Sequence, residues 1–472
     1  MAFNVDHLIV GAGPAGLALA GRLTASGAPR VLVVEKGTQQ ALRDCAAVRL
    51  GHCGNCAKCD VLSGVGGASG TIGGKLCFFP AGSGILDHTG VNEAEANQEV
   101  AAFLRAAGVP VVAPAPVCSP DDAWYGRLEH KQYSSQPISR RTLVQALARA
   151  TAQARRGGAH IRTGAEVTDV RPRSTGGFDV WIRDGAAVER IAVNATVTIA
   201  GGRSCQALVQ RLVDTAHLVA AFDQVDVGVR LEFPSRRIDD QLPQGLQDPK
   251  IKTSGGLLRT LCWCRGGSLG AVGPVGMWHS TLVDGHFGDA TTDRTSVSLV
   301  AREQVSGHGT AMDHALLQMG GGQEQTSLIS YQDVAGFLGM GRDFPPQSDP
   351  PHQAFRARRV NFTRLIQSPL YSRLAGLLLE LDEALGKGSL VNRESYVYGP
   401  VVDRTWHKVV LDKRLMSAAV PGLFFAGDAA GLGRGIVQSI MTGLFVAEQI
   451  ALWEAGNCME TAPIEKDANA VR

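Results

Sequence analysis

The spacing of apolar residues predicts a strand–helix–strand unit at the start of the chain. The run DHLIV at residues 6–10 is short and continuous, as in a buried strand. Apolar residues then recur at helical intervals up to Gly27, which predicts a helix that ends at a glycine. The next apolar run, RVLVVEK, predicts a second strand that ends at Glu35.

Apolar runs also predict elements in the middle and at the end of the chain. Residues 193–204, VNATVTIAGGRS, predict a strand that leads into a glycine turn, and residues 422–428, GLFFAGD, predict another. A long helix is expected after the second turn, from about Ile436. Between them, QVDVGVRLEF, RTLCWC and SVSLV predict strands, and residues 373–388 predict an amphipathic helix with a glycine stop.

The turn after the first strand has the glycine spacing of a dinucleotide-binding motif. In GAGPAG, Gly11 permits a tight turn, Gly13 lets the backbone approach a pyrophosphate, and Gly16 lets helix and strand pack closely. The helix N-terminus then offers free N–H groups to the phosphates. Glu35 lies where an acid meets a ribose hydroxyl. The predicted site residues here are Gly11, Gly13, Pro14, Ala15, Gly16, Glu35 and Lys36.

The end of the chain favours FAD over NAD as the dinucleotide. Residues 421–450 resemble the second FAD motif of the glutathione-reductase and hydroxybenzoate-hydroxylase group of flavoproteins. That resemblance implies that Asp428, after Gly427, binds the ribityl chain. It also implies that the helix beginning at Gly435 and Ile436 points its N-terminus at the flavin, where its dipole would stabilise negative charge on a reduced flavin.

Two further segments resemble the elements with which this group returns to its cofactor. One is the glycine turn at Gly201, and the other is a helix starting near Arg140 followed by a strand with Val167 near the adenine. The resulting fold class is α/β, with a discontinuous Rossmann-like FAD domain and an inserted α+β domain for the substrate. The predicted FAD domain comprises residues 1–115, 136–215 and 396–456, the substrate or cap domain residues 216–395, and a tail residues 457–472.

The insert contains no second GxGxxG unit of the strand–helix–strand kind. A dedicated NAD(P)H domain is therefore not expected, and NAD(P)H would act only as a transient reductant.

The chain as a whole resembles a family of bacterial FAD-dependent oxidoreductases of the "FAD-dependent protein C" kind, and at longer range the geranylgeranyl reductases. The most specific blocks are GVGGASGTIGGKL at 64–76 and LRTLCWCRGGSLGAVGPVGMWHSTLVDG at 258–285. Two positions depart from the family pattern: Gly73 or Gly74 stands where Asp is usual, and Arg265 stands where Pro is usual. This divergence suggests a changed substrate in a specialised biosynthetic pathway.

A cysteine-rich stretch precedes the glycine-rich loop. Cys45, Cys53, Cys56 and Cys59 have three interpretations. Thiolates at this spacing can hold an iron–sulfur cluster or zinc, although the full ferredoxin spacing is absent. A C-x-x-C pair can exchange electrons with flavin. The favoured interpretation is structural, a loop packed on the isoalloxazine, with backbone N–H groups of Gly66, Gly67 and Ala68 close to the ring.

The candidate catalytic residues are Lys75, His279, Cys262 and Cys264. Lys75 and His279 are the polar residues to test first as proton donors. Cys262 and Cys264 form C-x-C, and on a regular strand both side chains would point to the same face, either towards the flavin or into the core.

These observations predict an enzyme that performs two-electron chemistry on a small organic substrate, by dehydrogenation or double-bond reduction. The alternatives are a monooxygenase that activates dioxygen and a flavin-bound electron relay or scaffold for a redox partner protein. A halogenase is disfavoured because the W-x-W-x-I-P segment is absent.

Charge and hydropathy narrow the partners further. A net charge of +2 argues neither for nor against nucleic acid, but no Lys/Arg run marks a basic arm, and no nucleic-acid partner is expected. The absence of a long uncharged apolar run argues against a membrane span, and the missing export signal predicts a cytoplasmic protein. The sequence leaves the oligomeric state open.

Overall fold

The structure is a computed structural model with helices packed on two large sheets. It describes residues 4–39, 43–45, 56, 58–111, 128–131, 133–215, 217–221, 224–241, 248–253, 255–272, 282–284, 291–304, 329–340, 357–403 and 408–456. His279 and Cys53 lie outside these residues.

The described elements are numbered in chain order. The helices α1 to α9 are Pro14–Ala25, Gly84–Thr89, Glu93–Ala106, Arg140–Arg156, Gln206–Asp214, Val334–Phe337, Phe362–Leu365, Ser368–Ala384 and Ile436–Glu454. The strands β1 to β21 are Val5–Val10, Val31–Glu35, Lys75–Cys77, Glu129–Lys131, Ser135–Pro137, His160–Thr163, Ala165–Pro172, Phe178–Asp184, Ala187–Ile199, Ala220–Ala221, Gln224–Pro234, Lys250–Lys252, Leu258–Arg265, Gly270–Val272, Leu282–Asp284, Arg294–Gln304, Ile329–Asp333, Ala357–Arg359, Tyr396–Asp403, Lys408–Val409 and Leu423–Phe425. Short 3₁₀ turns are Gly67–Gly70, Arg203–Cys205, Ser235–Arg237 and Gly427–Ala430.

The first large sheet has a parallel core. Its strands β6, β2, β1, β9 and β21 lie side by side in that order, each parallel to its neighbour. β1 and β2 are buried along their whole length, which explains their unbroken apolar sequences. β9 continues beyond the core as an antiparallel ribbon with β8 and β7.

Helices α1 and α9 cover this sheet and touch each other at small residues. α1 lies between α9 and α4. A Cβ added at Gly443 in α9 would overlap the carbonyl oxygen of Ala15 in α1. A Cβ added at Gly16 would likewise overlap the carbonyl oxygen of Gly11. The close-packing role predicted for Gly16 therefore has a direct geometric basis, and Gly443 has a similar role that was not predicted.

The second large sheet has eight strands, in the order β18-β17-β19-β11-β16-β13-β12-β4. β11, β13 and β16 are the strands predicted in the middle of the chain. Alternate residues of β11 point to opposite faces. Val227, Leu231 and Phe233 belong to an apolar core that includes leucines of α8, whereas Arg230 and Glu232 lie on the other face.

Two differences from the sequence-based picture concern this part of the chain. Helix α8 begins at Ser368, five residues before the predicted Arg373, because Pro369 occupies its first turn, a position that tolerates proline. The strand Tyr396–Asp403 pairs with β11 and β17, so these residues are part of the eight-stranded sheet rather than of the FAD-domain piece 396–456.

One helix of the described chain, α9, is long and apolar enough to cross a membrane. In its most apolar window, 56% of the residues are buried inside the protein, as in a core helix, and the helix packs on α1 and α3. This is weak support for a membrane span.

The close contact between α1 and α9 generates the first prediction. Gly443→Ala places a methyl group against the Ala15 carbonyl and should lower the free energy of unfolding by about 1–3 kcal/mol in urea titrations. Gly21→Ala is the control, because nothing lies within 4 Å of the added Cβ in α1. The free energy of unfolding of Gly21→Ala should rise by up to about 1 kcal/mol, because alanine has a higher helix propensity than glycine. Equal effects of the two substitutions would contradict the packing described.

Candidate functional site

Three glycine turns meet beside the carboxyl ends of β1, β9 and β21. A Cβ at Gly11, where φ is +103°, would lie 3.1 Å from the Cα of Gly201. A Cβ at Gly67 would lie 3.2 Å from the Cα of Gly13. A Cβ at Gly427 would lie 3.1 Å from that of Ala15. The structure thus brings together predicted site residues from both ends of the chain, at the edge where parallel α/β sheets bind ligands.

The buried carboxylate of Glu35 fixes two of these segments to each other. Its oxygens accept backbone N–H groups from Ala12 at 2.8 Å and from Gly37 and Gly64 at 2.7 Å. A carboxylate can accept about four hydrogen bonds, so capacity for a ligand hydroxyl remains. Glu35 therefore organises the site, whatever it also binds. Lys36 points elsewhere and pairs with Glu166 at 2.8 Å.

Two arginines hold the glycine-rich loop in place. Arg43 donates to the carbonyl oxygens of Val65 and Gly67, each at 2.7 Å. Arg140, the first residue of α4, donates from Nε to the Gly70 carbonyl at 2.9 Å. The sequence motif pointed to Arg140 but not to Arg43, since no spacing rule links Arg43 to the loop it holds. Val167 lies buried in β7.

Both long helices that start at the site do so without a side-chain cap. Gly13 precedes α1, Gly435 precedes α9, and neither N-terminus is closed by a side-chain hydrogen bond. Pro14 stands at the start of α1, where its missing N–H costs nothing. The free N–H groups and the positive dipole ends can therefore receive anionic or oxygen-rich parts of a ligand.

Asp428 lies on the turn that follows β21. Burial raises the pKa of its carboxyl, and the guanidinium groups of Arg434 and Arg203 oppose that shift. Among the described residues, none donates a hydrogen bond to it. Both arginines pair instead with Asp403 of β19, Arg203 at 3.5 Å. Asp428 is thus a half-buried acceptor that a ligand hydroxyl can satisfy.

A polar residue that sequence reasoning missed connects α9 to the neighbouring loop. Gln438 donates from Nε2 to the carbonyl oxygens of Ala81 at 2.6 Å and Cys77 at 3.1 Å. Its signal in the sequence is an amide in the first turn of a mainly apolar helix. The contact keeps the start of α9 close to residues 77–84.

Lys75 joins the small sheet of β3 and β5 to the second large sheet. Its Nζ lies 2.8 Å from Oδ2 of Asp248 and donates to the Trp263 carbonyl at 2.6 Å. Burial alone would lower the pKa of Lys75, but the Asp248 carboxylate raises it above its ordinary value. Such an ammonium group is a poor proton donor near neutral pH. This arrangement favours a structural role for Lys75 over the predicted acid role.

The two cysteines of the C-x-C sequence do not share one face of the sheet, as they would on a regular strand. A bulge interrupts the pairing of β13 with β16 between Leu261 and Cys264, and Cys262 has a φ of +54°. Cys262 is exposed, whereas Cys264 is buried and accepts from Arg230 at 3.0 Å. The irregularity follows from Trp263, whose N–H donates to Asp248 at 2.8 Å. Bulges of this kind often occur beside active sites.

Cys262 and Arg434 border a space between the two sheets, which we call the cleft. Cys262 lies on the second sheet, and Arg434, on the loop before α9, pairs with Asp403 of the same sheet. Both side chains are exposed, Arg434 to 40%. The Arg434 side of the cleft adjoins the start of α9, because Arg434 directly precedes Gly435.

The structure describes three cysteines of the cysteine-rich stretch, Cys45, Cys56 and Cys59. Cys45 and Cys59 contact the apolar core under the second sheet, and Cys56 is exposed. No group of three or more His, Cys, Asp or Glu among the described residues is arranged to hold a metal. Because Cys53 falls outside the described residues, the arrangement of the four cysteines stays a prediction.

A buried carboxyl on the cleft-facing side of β11 titrates abnormally. Burial raises the pKa of Glu232 to about 7, and Arg294, the Tyr398 hydroxyl and Arg230 oppose this shift. Tyr398 donates to Glu232 Oε2 at 3.1 Å, and Arg294 lies 3.7 Å away. Asp293 adds a further unfavourable charge. A carboxyl that titrates near neutral pH can exchange protons under working conditions.

Comparisons with solved structures find distant similarity over almost the whole chain. The structure of AlpK is 15% identical, with 97% of this chain and 64% of AlpK aligned and a TM-score of 0.38. A geranylgeranyl bacteriochlorophyll reductase-like protein from Thermoplasma acidophilum is 13% identical over 97% of this chain and 80% of its own, with a TM-score of 0.38. OxyS anhydrotetracycline hydroxylase from Streptomyces rimosus is 14% identical over 96% and 63%, with a TM-score of 0.38.

These similarities are too weak to identify an activity. The chain spans less than two thirds of AlpK and of OxyS. No protein-family model matches the chain, and no curated protein matches it.

The titration of Glu232 generates a pH prediction. The Glu232 carboxyl has a pKa of 4.5 in the unfolded chain and of about 7 in the folded protein, which therefore binds the proton more tightly. Its contribution to the free energy of unfolding is fully present below pH 4.5 and is lost as the pH rises through about 7. The side chain in Glu232→Gln stays neutral at every pH. The free energy of unfolding of this variant, relative to that of the wild type, should therefore rise by roughly 2–3 kcal/mol between about pH 5 and pH 8. Urea titrations at each pH measure this. Glu380→Gln removes an exposed carboxylate as a control. Parallel wild-type and E232Q profiles would disprove the assignment.

The bulge at Cys262 generates a labelling prediction. Hydrogen bonding to Cys264 raises the pKa of the Cys262 thiol. Iodoacetamide should therefore label Cys262 slowly at neutral pH and faster above about pH 9, since the thiolate is the reactive form. Buried Cys264 should stay unlabelled until the protein unfolds. Peptide mass spectrometry of wild type and Cys262→Ser separates the two sites. Faster labelling of Cys264 than of Cys262 would refute the described geometry.

Proposed function

We propose that the chain is an FAD-dependent oxidoreductase that acts on a small organic molecule in the cleft. The observation that carries the proposal is the convergence of the Gly11, Gly67, Gly201 and Gly427 turns beside the carboxyl ends of parallel strands. The strand order supports it, because β6, β2, β1 and β9 reproduce the 3-2-1-4 order of dinucleotide-binding sheets. The finer fold class, a Rossmann-like discontinuous FAD domain with an inserted cap, is part of this proposal.

The described residues fit the dinucleotide in three ways. The space at Gly13 is open, since an added Cβ would come no closer than 3.9 Å to the Cα of Gly67. The uncapped start of α1 suits the pyrophosphate, and that of α9 suits the polar edge of the flavin ring. The half-buried Asp428 carboxylate, without a described hydrogen-bond donor, suits a ribityl hydroxyl.

Bound FAD would supply two-electron transfer, and the chain would supply position, charge and exclusion of water. Glu35 keeps the first turn and the glycine-rich loop together while Arg43 and Arg140 hold that loop in place. The N-terminus of α9 and Arg434 provide positive charge near the proposed ring position. Glu232, on the cleft-facing side of the second sheet, is the described group best suited to exchange a proton near neutral pH.

The reaction we favour is dehydrogenation or double-bond reduction of the substrate, in specialised metabolism and in the cytoplasm. Transient reduction by NAD(P)H is compatible with it. Monooxygenation uses the same architecture and remains the alternative. Oxygen from labelled dioxygen in the product would assign the chain to monooxygenation, and its absence during turnover would favour the first reaction. An electron relay to a protein partner is excluded if a small substrate alone reduces the flavin.

The open space at Gly13 gives a direct test of cofactor binding. The purified protein should bind one equivalent of FAD and be yellow. Gly13→Ala should weaken FAD binding by about tenfold or more, because the methyl group keeps the pyrophosphate from the backbone N–H groups. Its free energy of unfolding without FAD should be unchanged, because the added Cβ makes only an ordinary contact at 3.9 Å.

Gly21→Ala in the same helix is the matched control and should bind FAD as the wild type does. Titration calorimetry and flavin fluorescence measure the affinities. A folded protein that stays colourless and takes up no FAD would refute the proposed function. Equal affinities of the G13A and G21A variants would refute the placement of the pyrophosphate.

A further inference from the structure

Two lysines face each other at one end of the eight-stranded sheet. In the antiparallel pairing of β12 with β4, Lys250 lies directly opposite Lys131, and Lys252 lies opposite Glu129. Side chains directly opposite in such a pair have Cβ atoms about 4.5–5.5 Å apart. Lys252 and Glu129 form an ion pair at 2.7 Å, the arrangement expected for such neighbours. Lys131 and Lys250 instead bring two positive charges together.

This lysine pair lies on the cleft-facing side of the sheet. Ile251, between the two lysines of β12, belongs to the apolar core on the opposite face. Lys131 donates from Nζ to the Ser83 hydroxyl at 3.1 Å, which crosses to the part of the chain that carries the glycine turns.

Ser83 connects the lysine pair to the start of α9. An added Cβ at its neighbour Gly84 would meet the Leu432 carbonyl oxygen at 2.6 Å, and one at Gly82 would meet Gln438 at 3.0 Å. The turn that holds Ser83 is therefore packed on the residues that lead into α9. The lysine pair thus lies beside the proposed flavin position and not at a remote surface.

The carboxylates near Lys250 are already engaged, and those near Lys131, Asp87 and Glu93, act on it from beyond ion-pair distance. Asp248 pairs with Lys75 at 2.8 Å and accepts the Trp263 N–H. Asp226 pairs with Arg259 and Arg302. Within the part of the chain that the structure describes, no carboxylate lies within 4 Å of the ammonium group of either lysine.

Two opposed cations without a carboxylate are costly at a partly buried position. Like charges directly opposite each other destabilise a sheet, and burial weakens the screening that water would provide. Burial lowers the pKa of both Lys131 and Lys250, and their mutual interaction is unfavourable to Lys250. An anion held between the two ammonium groups would remove this cost and accept a charge-assisted hydrogen bond from each.

We propose that Lys131 and Lys250 form the subsite that binds an anionic group of the substrate, a carboxylate or a phosphate. The assignment rests on the proposed function, because it takes the cleft beside the flavin as the substrate site. It narrows the substrate to small organic acids or phosphate esters. The anionic end lies at the β4–β12 end of the sheet, beside Ser83, and the rest of the molecule extends along the cleft.

The test uses the FAD-loaded full chain and three probes: inorganic phosphate, benzoate, and chloride at equal ionic strength. The half-saturating probe concentration is read from the thermal midpoint and from the flavin absorbance spectrum. Phosphate or benzoate should raise the midpoint and chloride should not. Stronger binding of phosphate assigns a phosphate ester, and stronger binding of benzoate assigns a carboxylate.

The variants separate the subsite from general charge effects. Lys131→Gln and Lys250→Gln should each raise the half-saturating concentration about tenfold, as expected for one lost charge-assisted hydrogen bond. Lys252→Gln removes the same charge from the same strand but leaves the subsite intact. It should change the half-saturating concentration less than twofold. Lys250→Met, which keeps the stem, replaces Lys250→Gln if that variant fails to fold.

Each outcome decides the proposal. The subsite would be overturned if Lys252→Gln raised the half-saturating concentration as much as the Lys131 and Lys250 variants do. It would also be overturned if the protein responded to neither phosphate nor benzoate. If the protein is yellow but its response to the anions does not depend on Lys131 and Lys250, the subsite is refuted and FAD binding is not. A colourless protein that still responds to anions through Lys131 and Lys250 keeps the subsite and refutes the proposed function.

Discussion

The buried Glu35 carboxylate ties the first glycine turn to the glycine-rich loop, and the candidate site depends on this connection. Three backbone N–H groups converge on one side chain, two of them at 2.7 Å. Removing a charged acceptor from buried donors leaves each donor unsatisfied, which costs more than the bond itself contributes. The Gly66 N–H, which donates to the Ala12 carbonyl at 2.7 Å, continues the same connection along the backbone.

Ion pairs hold the second sheet over this arrangement. Lys75 reaches Asp248 on one side of the cleft, while Arg203 and Arg434 reach Asp403 on the other. Each pair contains one residue near the glycine turns and one on the second sheet, so together they fix the distance between the two. Lys75 and Asp248 are both buried, so breaking that pair is costly, because the remaining charge would be left without a partner.

The sequence predicted the elements and glycine turns well, because these depend on local rules. The glycines of GAGPAG and the helix start at Ile436 lie where motif spacing placed them. Arg43, Asp248 and the lysine pair could not be found in this way. Their roles come from strand register and loop packing, which bring together residues far apart in sequence. The expectation that Cys262 and Cys264 share one face of the strand failed, because the bulge between Leu261 and Cys264 changes the direction of the Cys262 side chain.

The pairing of the first helix with the last has a consequence for how the protein is made. β21 and α9 complete the parallel sheet and its helix layer, yet they follow the whole second sheet in the chain. Gln438 bonds to Ala81 across 357 residues. Contacts of such high sequence separation form slowly, and the side of α1 that packs on α9 stays uncovered until α9 has been synthesised. During that interval this apolar side of α1 is exposed to water, which makes the partly folded chain prone to aggregation.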